Sequence, residues 1–373
     1  MAMDFNDIIN LMVQKKASDL FITAGVAPCI KVNGRVLPVA KTKLTDQQSR
    51  ELTYSLMTPE QREEFVHTKE CNFAFNSKGV GRFRVSAFVQ RDSVGMVLRR
   101  IETRIPSFDE LGLPPTLVDL AMTKRGLVIF VGATGTGKST SLAAMVGHRN
   151  HNASGHIISI EDPIEFLHQH ASSIITQREV GVDTESYEVA LKNTLRQAPD
   201  VILIGEIRTR ETMENAIAFA ETGHLVLSTL HANNANQAME RIIHFFPDDQ
   251  HQQVLMDLSL NLKGIVAQQL VPRPDGNGRR AILEILLNTP LASDLISKGE
   301  VSKLKDLMKR SREQGMITFD QALYEAYVRG EITEKDAMHY ADSANEVRLM
   351  IKLGDSRPGS RARDHDAMGL APE

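Results

Sequence analysis

The spacing of apolar positions changes character along the chain, and each change marks a boundary. Residues 4–17 carry Phe5, Ile8, Ile9, Met12 and Val13 on one helical face, the spacing of an amphipathic helix. Ser18-Asp19 ends it, and Leu20-Phe-Ile-Thr reads as a strand. Ile30 to Leu37 reads as a hairpin around Asn33-Gly34, because Asn-Gly supplies the positive φ angles of a tight type I′ turn. Two helices are expected next. The second opens Thr58-Pro59-Glu60-Gln61, a capping box with proline at the first helical position. Over 71–101 the period becomes two, with Phe73, Phe75, Phe83, Val85 and Phe88 set among polar neighbours, so this stretch is strand. Residues 1–102 are therefore expected to form a small α+β domain.

Residues 103–116, punctuated by Pro106, Pro114 and Pro115, read as a linker. From 117 to 289 the pattern changes again. Short apolar runs at 127–131, 157–160, 201–204 and 225–229 alternate with helical stretches, which predicts an α/β domain with a largely parallel sheet. Residues 290–352 read as a small helical bundle. The segment 353–373 offers almost nothing to bury and is expected to be disordered.

Composition adds mainly exclusions. A chain of 373 residues is long for one core, in keeping with two domains. The net charge of −4 provides no overall basic field for nucleic acid. No basic groove interleaved with aromatic residues is visible either, so no nucleic-acid partner is expected. No run reaches the ~18–20 apolar residues of a membrane span. The acidic N-terminus, Met1-Ala-Met-Asp-Phe-Asn-Asp, lacks the features of a signal peptide. Cys29 and Cys71 form neither C-x-x-C nor a zinc set and read as reduced core thiols. His168 and His170 lie two apart without any H-E-x-x-H and read as surface polar residues. The expected compartment is the cytoplasm.

The chemistry centres on Gly132-Ala133-Thr134-Gly135-Thr136-Gly137-Lys138-Ser139-Thr140, which fits G-x-x-x-x-G-K-[ST]. The apolar run 127–131 precedes it and a helical stretch follows, the strand–loop–helix context that a phosphate loop requires. Glycines let backbone N–H groups converge on a polyphosphate, and the helix N-terminus adds its positive dipole end. Lys138 would reach the β/γ-phosphates and the Ser139 hydroxyl a Mg²⁺ ion. Asp200 to Glu206 is an apolar strand ending in an acid, the position of a second carboxylate on the Mg²⁺ side. The usual aspartate is replaced by Gly205, which leaves Glu206 as the acid there. Another strand ends in Glu161, Asp162 and Glu165, and one of these carboxylates could orient or deprotonate a water. Leu225 to Ala232 puts Thr229 and His231 at a third strand end. In the first domain Arg82 and Arg84, two apart on a strand, project from one face. Arginine suits phosphate because its planar fork stays charged and binds two oxygens. Arg99 and Arg100 are a further pair.

Taken in order, GATGTGKST (132–140), IEDPIEF (160–166), APDVILIGEIR (198–208) and ETGHLVLSTLHANNA (221–235) resemble the Walker A, Asp, atypical Walker B and His boxes of the secretion-type hexameric ATPases. These are the motors of type II secretion and type IV pili. KKASDLFITAG (15–25) and GRFRVSAF (81–88) look like the PAS-like N-terminal domain of the retraction (PilT/PilU) branch. The resemblance spans about residues 4–350. It implies a RecA-like P-loop ATPase domain of α/β class beside a smaller α+β PAS-like domain, with ATP and Mg²⁺ as cofactors. Residues 132–140 would bind nucleotide, with Ser139 and Glu206 on the metal side, Glu165 as catalytic carboxylate and His231 in the His box. Arg82, Arg84 and Arg99 would reach nucleotide from the N-terminal domain. The implied assembly is a homo-hexamer in the cytoplasm, peripheral at the inner membrane and acting on a PilC-type platform protein. One segment departs from the branch: where retraction ATPases carry an AIRNLIRE-type sequence, residues 289–300 read TPLASDLISKGE. That favours a paralogue that assists a PilT-type retraction ATPase. The alternative is a nucleotide-binding regulatory subunit with little activity of its own.

Overall fold

The computed structural model describes residues 5–32, 35–77, 79–101 and 103–355. The described chain forms two compact units.

The first unit comprises Met1–Ile105 together with Asp162–His168 and Gln177–Ala190. Helix α1 (Phe5–Gln14) leads into strands β1 (Asp19–Ile22), β2 (Cys29–Val32) and β3 (Arg35–Pro38). Helices α2 (Asp46–Ser55) and α3 (Pro59–Thr68) follow, then β4 (Glu70–Ser77), β5 (Gly81–Gln90) and β6 (Ser93–Arg100). The strands form one sheet in the order β3-β2-β1-β6-β5-β4. Strands β2 and β3 pair antiparallel with Val32 opposite Arg35, while the Asn33-Gly34 turn lies outside the described residues. The Thr58/Gln61 capping box forms as the sequence predicts, and Thr45 with Gln48 builds a second one on α2. Such a cap contributes about 1 kcal/mol. Phe5, Ile8, Ile9 and Met12 of α1 pack with Leu20, Phe65, Phe73, Phe83, Val85 and Leu98 in one buried cluster. Phe83, Val85 and Ala87 of β5 face this core, so the pleat turns Arg82 and Arg84 to the other face.

The second unit holds a short helix α4 (Phe108–Leu111), α5 (Pro115–Met122), β7 (Gly126–Val131), α6 (Lys138–Asn152), β8 (Gly155–Glu161) and β9 (Ser173–Glu179, whose end lies in the first unit). The chain continues through α7 (Tyr187–Thr194), β10 (Val201–Ile204), α8 (Arg210–Glu221), β11 (Leu225–Leu230), α9 (Ala235–Ile243) and α10 (His251–Asn261). It closes with β12 (Leu262–Pro272), β13 (Arg279–Leu287) and the helices α11 (Pro290–Ser297), α12 (Leu304–Arg310), α13 (Phe319–Val328), α14 (Glu334–His339) and α15 (Ala344–Asp355). The sheet order is β13-β12-β7-β11-β10-β8-β9. Strands β12, β7, β11, β10 and β8 run parallel, and β13 lies antiparallel on β12. Every residue of β7, β10 and β11 is buried. Central parallel strands are covered on both faces, which is why β7 and β10 are near-continuous apolar runs, while Ser228 and Thr229 of β11 give their hydroxyls to backbone carbonyls. Strands β9, β12 and β13 had no such signature and were not anticipated.

The helix α15 reaches Asp355, so the segment from 353 begins as helix rather than as tail. Val347 and Ile351 are buried one turn apart, and that anchored stripe carries the helix onward. A Cβ at Gly354 would meet the Tyr324 hydroxyl, so glycine is what lets this last turn close on α13. Residues 356–373, the remainder of the expected tail, lie outside the described residues.

Candidate functional site

In the second unit, the carboxyl ends of parallel strands carry the chemical groups, as open α/β sheets arrange them. Strand β7 delivers the chain into residues 132–137, and α6 begins at Lys138. Gly132, Gly135 and Gly137 have φ of 150°, 80° and 85°, a region L side chains rarely enter. Lys138 is buried, and its Nζ donates to the carbonyls of Gly132 at 2.7 Å and Ala133 at 2.9 Å. Thr136 Oγ1 also donates to the Ala133 carbonyl, at 2.9 Å. The Gly132 and Ala133 carbonyls are thus occupied by donors. Ser139, one residue into α6, is partly exposed, and no hydrogen bond engages its hydroxyl among the described residues. Glycine-rich backbone, a lysine and a free hydroxyl at a helix N-terminus are the donor set that a nucleotide polyphosphate with Mg²⁺ requires.

Glu206 follows β10, and it does not stand alone. Arg208 donates from Nε at 2.7 Å and lies 2.6 Å away through Nη2, both to Oε2. His231 Nε2, just past β11, lies 2.8 Å from Oε1. Both carboxylate oxygens therefore have partners, although the Arg208 and His231 side chains are themselves open to solvent. The backbone beneath is pinned: Thr229 Oγ1 donates to Gly205 O and Ser228 Oγ to Ile204 O, each at 2.7 Å. Ile207 N donates to Thr229 O at 2.8 Å. A cleft of about 420 Å³ is lined by Gly132, Ala133, His231, Asn233, Gln237 and Arg241, among others. It joins the start of the glycine loop to the histidine and α9.

Glu284 of β13 lies deeper. It is almost fully buried, accepting from Ala235 N at 2.9 Å and Phe319 N at 3.4 Å. One carboxylate thus caps the first residues of both α9 and α13. Burial is the main cause that pushes its pKa up to about 7, with Asp342 adding to the rise.

In the first unit, Arg84 lies directly opposite Arg99 on the neighbouring strand, and Arg82 projects from the same face as Arg84. Like charges placed opposite one another on a sheet destabilise it. Arg99 is partly engaged already: its Nε donates to buried Asp19 at 2.8 Å. Arg82 makes a long ion pair of 3.8 Å with Asp183, and its buried Nε lacks a hydrogen-bond partner among the described residues. Glu179 is buried and accepts from Ile164 N at 3.3 Å. Burial raises its pKa, and the charges of Arg82 and Arg84 partly offset that rise. Glu165 is exposed, with no side-chain hydrogen bond or ion pair among the described residues. Glu161 belongs to the second unit and accepts from Ser159 Oγ at 2.6 Å. The candidates thus fall into two groups. Lys138, Ser139, Glu206 and His231 lie in the second unit, and Arg82, Arg84, Arg99 and Glu165 lie in the first.

Residues 2–339 match the family described as type II/IV secretion system protein. The chain belongs to this family. It is 71% identical to the type IV pilus ATPase PilU of Pseudomonas aeruginosa, over 94% of this chain and 92% of that one. To the type IV pilus retraction ATPase PilT of the same organism it is 37% identical, over 91% and 98% of the two chains. The crystal structure of the pilus retraction motor PilT with bound ADP superposes with a TM-score of 0.87 at 39% identity, covering 93% of this chain and 99% of that one. The fold is the RecA-like α/β core of the secretion ATPase family with its smaller α+β N-terminal domain.

Against that family pattern, sequence reasoning missed Arg208, although it stands in the quoted Walker B box; its distance from Glu206 is a matter of side-chain rotamer. Glu179 and Asp183 were missed because only the fold brings them to Arg82. Gln268 was also missed. Its one signal was the pair Gln268-Gln269 set between the apolar residues Ile265–Ala267 and Leu270.

Proposed function

We propose that this chain is an ATP-hydrolysing motor subunit that powers type IV pilus retraction and twitching motility. It works as a ring of six and alongside a PilT-type retraction ATPase. The observation that carries this reading is 71% identity over 94% of the chain to a type IV pilus ATPase, with the four ATPase boxes all present and in order. In this reading residues 1–102 are the PAS-like domain, 117–289 the ATPase core, less the segments 162–168 and 177–190 that cluster with the first unit, and 290–352 the C-terminal bundle. Residues 132–140 hold the phosphates of ATP, with Lys138 releasing its loop carbonyls for phosphate oxygens. Mg²⁺ would neutralise charge on the β- and γ-phosphates, held by the Ser139 hydroxyl and by water that Glu206 orders. Glu165 takes the proton of the attacking water. Arg82 and Arg84 stabilise the charge that develops at the γ-phosphate, and Arg99 reaches nucleotide beside them. His231 couples the state of Glu206 to the cleft against α9. Hydrolysis then drives a change in the ring that acts on a platform protein at the inner membrane.

The altered segment 289–300 favours the assisting role over autonomous retraction. The test has two arms. Purified protein is expected to turn over ATP with Mg²⁺, and loss of that turnover on Lys138→Ala assigns it to this loop. In cells lacking the PilT-type paralogue but keeping this protein, labelled pili are expected to retract poorly under load. Full retraction there would overturn the assisting role and leave the ATPase assignment standing. Absence of turnover by the purified protein, both alone and with the paralogue added, would favour the regulatory subunit.

A further inference from the structure

Gln268 occupies an unusual place for a polar side chain. It is 2% exposed in β12, one residue past Ala267, which pairs with Val131 at the end of β7. Its side-chain amide is used at both ends. Nε2 donates to the Thr136 carbonyl at 2.8 Å, and Oε1 accepts from Ser141 Oγ of α6 at 2.8 Å. Because the Thr136 carbonyl can only accept, the NH₂ end of the amide is committed to it, and the Ser141 hydroxyl, which can turn to either role, donates to the oxygen end. The loop also needs glycine where it meets this residue. A Cβ on Gly137 would come within 2.8 Å of Gln268 Nε2, and one on Gly132 within 2.6 Å of its main-chain oxygen.

We infer that Gln268 is a positioning residue of the phosphate loop, setting the Thr136–Gly137 peptide plane so that the Gly137 N–H faces a bound polyphosphate. A trans peptide holds its C=O and the following N–H on opposite sides. Anchoring the Thr136 carbonyl toward β12 therefore turns the Gly137 N–H away from it. Gly137, at φ 85°, lies on one side of this peptide, so its φ gives the plane little resistance to rotation. A flipped plane would present a carbonyl dipole to the anion in place of a donor. Gln268 supplies from a distant strand the restraint that the glycines cannot.

This inference rests on reading the loop as a nucleotide site, and the experiment separates the two. Gln268→Glu keeps the shape and the acceptor for Ser141 but sets an oxygen against the Thr136 carbonyl. In the full-length protein we expect the dissociation constant for a fluorescent ADP, and KM for ATP, to rise about tenfold, the size of one lost hydrogen bond and its repulsive replacement. The expected fall in kcat is under about threefold. A residue that only supports the fold would instead lower the active fraction, reducing kcat at constant KM, and that result or unchanged ADP affinity overturns the inference. Should Gln268→Glu not fold, Ser141→Ala decides. It unlocks the amide without removing the Thr136 bond and is expected to raise KM about threefold, whereas wild-type KM overturns the inference. Wild-type protein that bound no ADP would overturn the nucleotide-site reading itself.

Discussion

The two units place their candidate anion-binding groups in different ways. In the second, the ligand-facing geometry is a property of backbone: positive-φ glycines, a helix N-terminus and a lysine within one nine-residue stretch. A polar contact from Gln268 of β12 to the Thr136 carbonyl then holds it. In the first, the charge comes from side chains on one face of an antiparallel sheet, where Arg84 and Arg99 are cross-strand neighbours. Glu179 and Asp183, distant in sequence, temper that charge. A loop of the first kind binds before chemistry begins. In the proposed function, the partly exposed guanidinium groups of the other face would stabilise charge as it appears. Substitutions in the second unit's loop should therefore register as lost binding, and those on the arginine face as lost turnover.

Lys138→Ala tests the first half most severely. ATP turnover is expected to fall by ~1,000-fold with loss of ADP binding by calorimetry, since a buried point charge on the phosphates is removed. Glu165→Gln comes next. Hydrolysis is expected to fall ~100-fold while ATP affinity stays within about threefold, as for loss of a general base that keeps its shape. Turnover at the native rate would move the role to Glu161. Arg84→Ala is the sharpest test of the comparison itself: kcat is expected to drop ~30-fold with KM nearly unchanged. Equal losses in both would collapse the distinction between the two units.

The smallest expected effect concerns stability. Glu284 has a folded pKa raised to about 7 from an ordinary 4.5. Folded protein therefore binds more protons than unfolded protein between those values. The stability it contributes is full below about pH 4.5 and is lost as pH rises through 7, by about 3 kcal/mol at most. Denaturant melts at pH 5 and pH 8 should show wild-type protein weakening toward alkaline pH. Glu284→Gln, which cannot ionise, should show a flatter profile. It should also be less stable than wild type at pH 5, because an amide has only one oxygen for the two N–H groups of Ala235 and Phe319.

Much of this was legible in the sequence because it is local. A strand–glycine loop–helix run, a Thr58/Gln61 capping box and fully apolar parallel strands each state their conformation in consecutive residues. Even the two-residue spacing of Arg82 and Arg84 fixes their common face. Strands β12 and β13 escaped notice because β12 carries Gln268 and Gln269 and β13 carries Glu284, polar residues whose partners lie far along the chain.

What the sequence by itself determined is the set of chemical groups and the local backbone that presents some of them: the phosphate loop, the acid after β10 and the histidine after β11. Only the tertiary structure decided their partners. It set Arg208 and His231 on the two oxygens of Glu206, and Gln268 against the Thr136 carbonyl. It joined 162–168 and 177–190 to the first unit, with Glu179 near Arg82 and Arg84. The physical reason is range. Backbone conformation is governed by steric and hydrogen-bonding preferences within a few residues, whereas the burial that commits a polar group to one partner exists only once distant strands have closed around it.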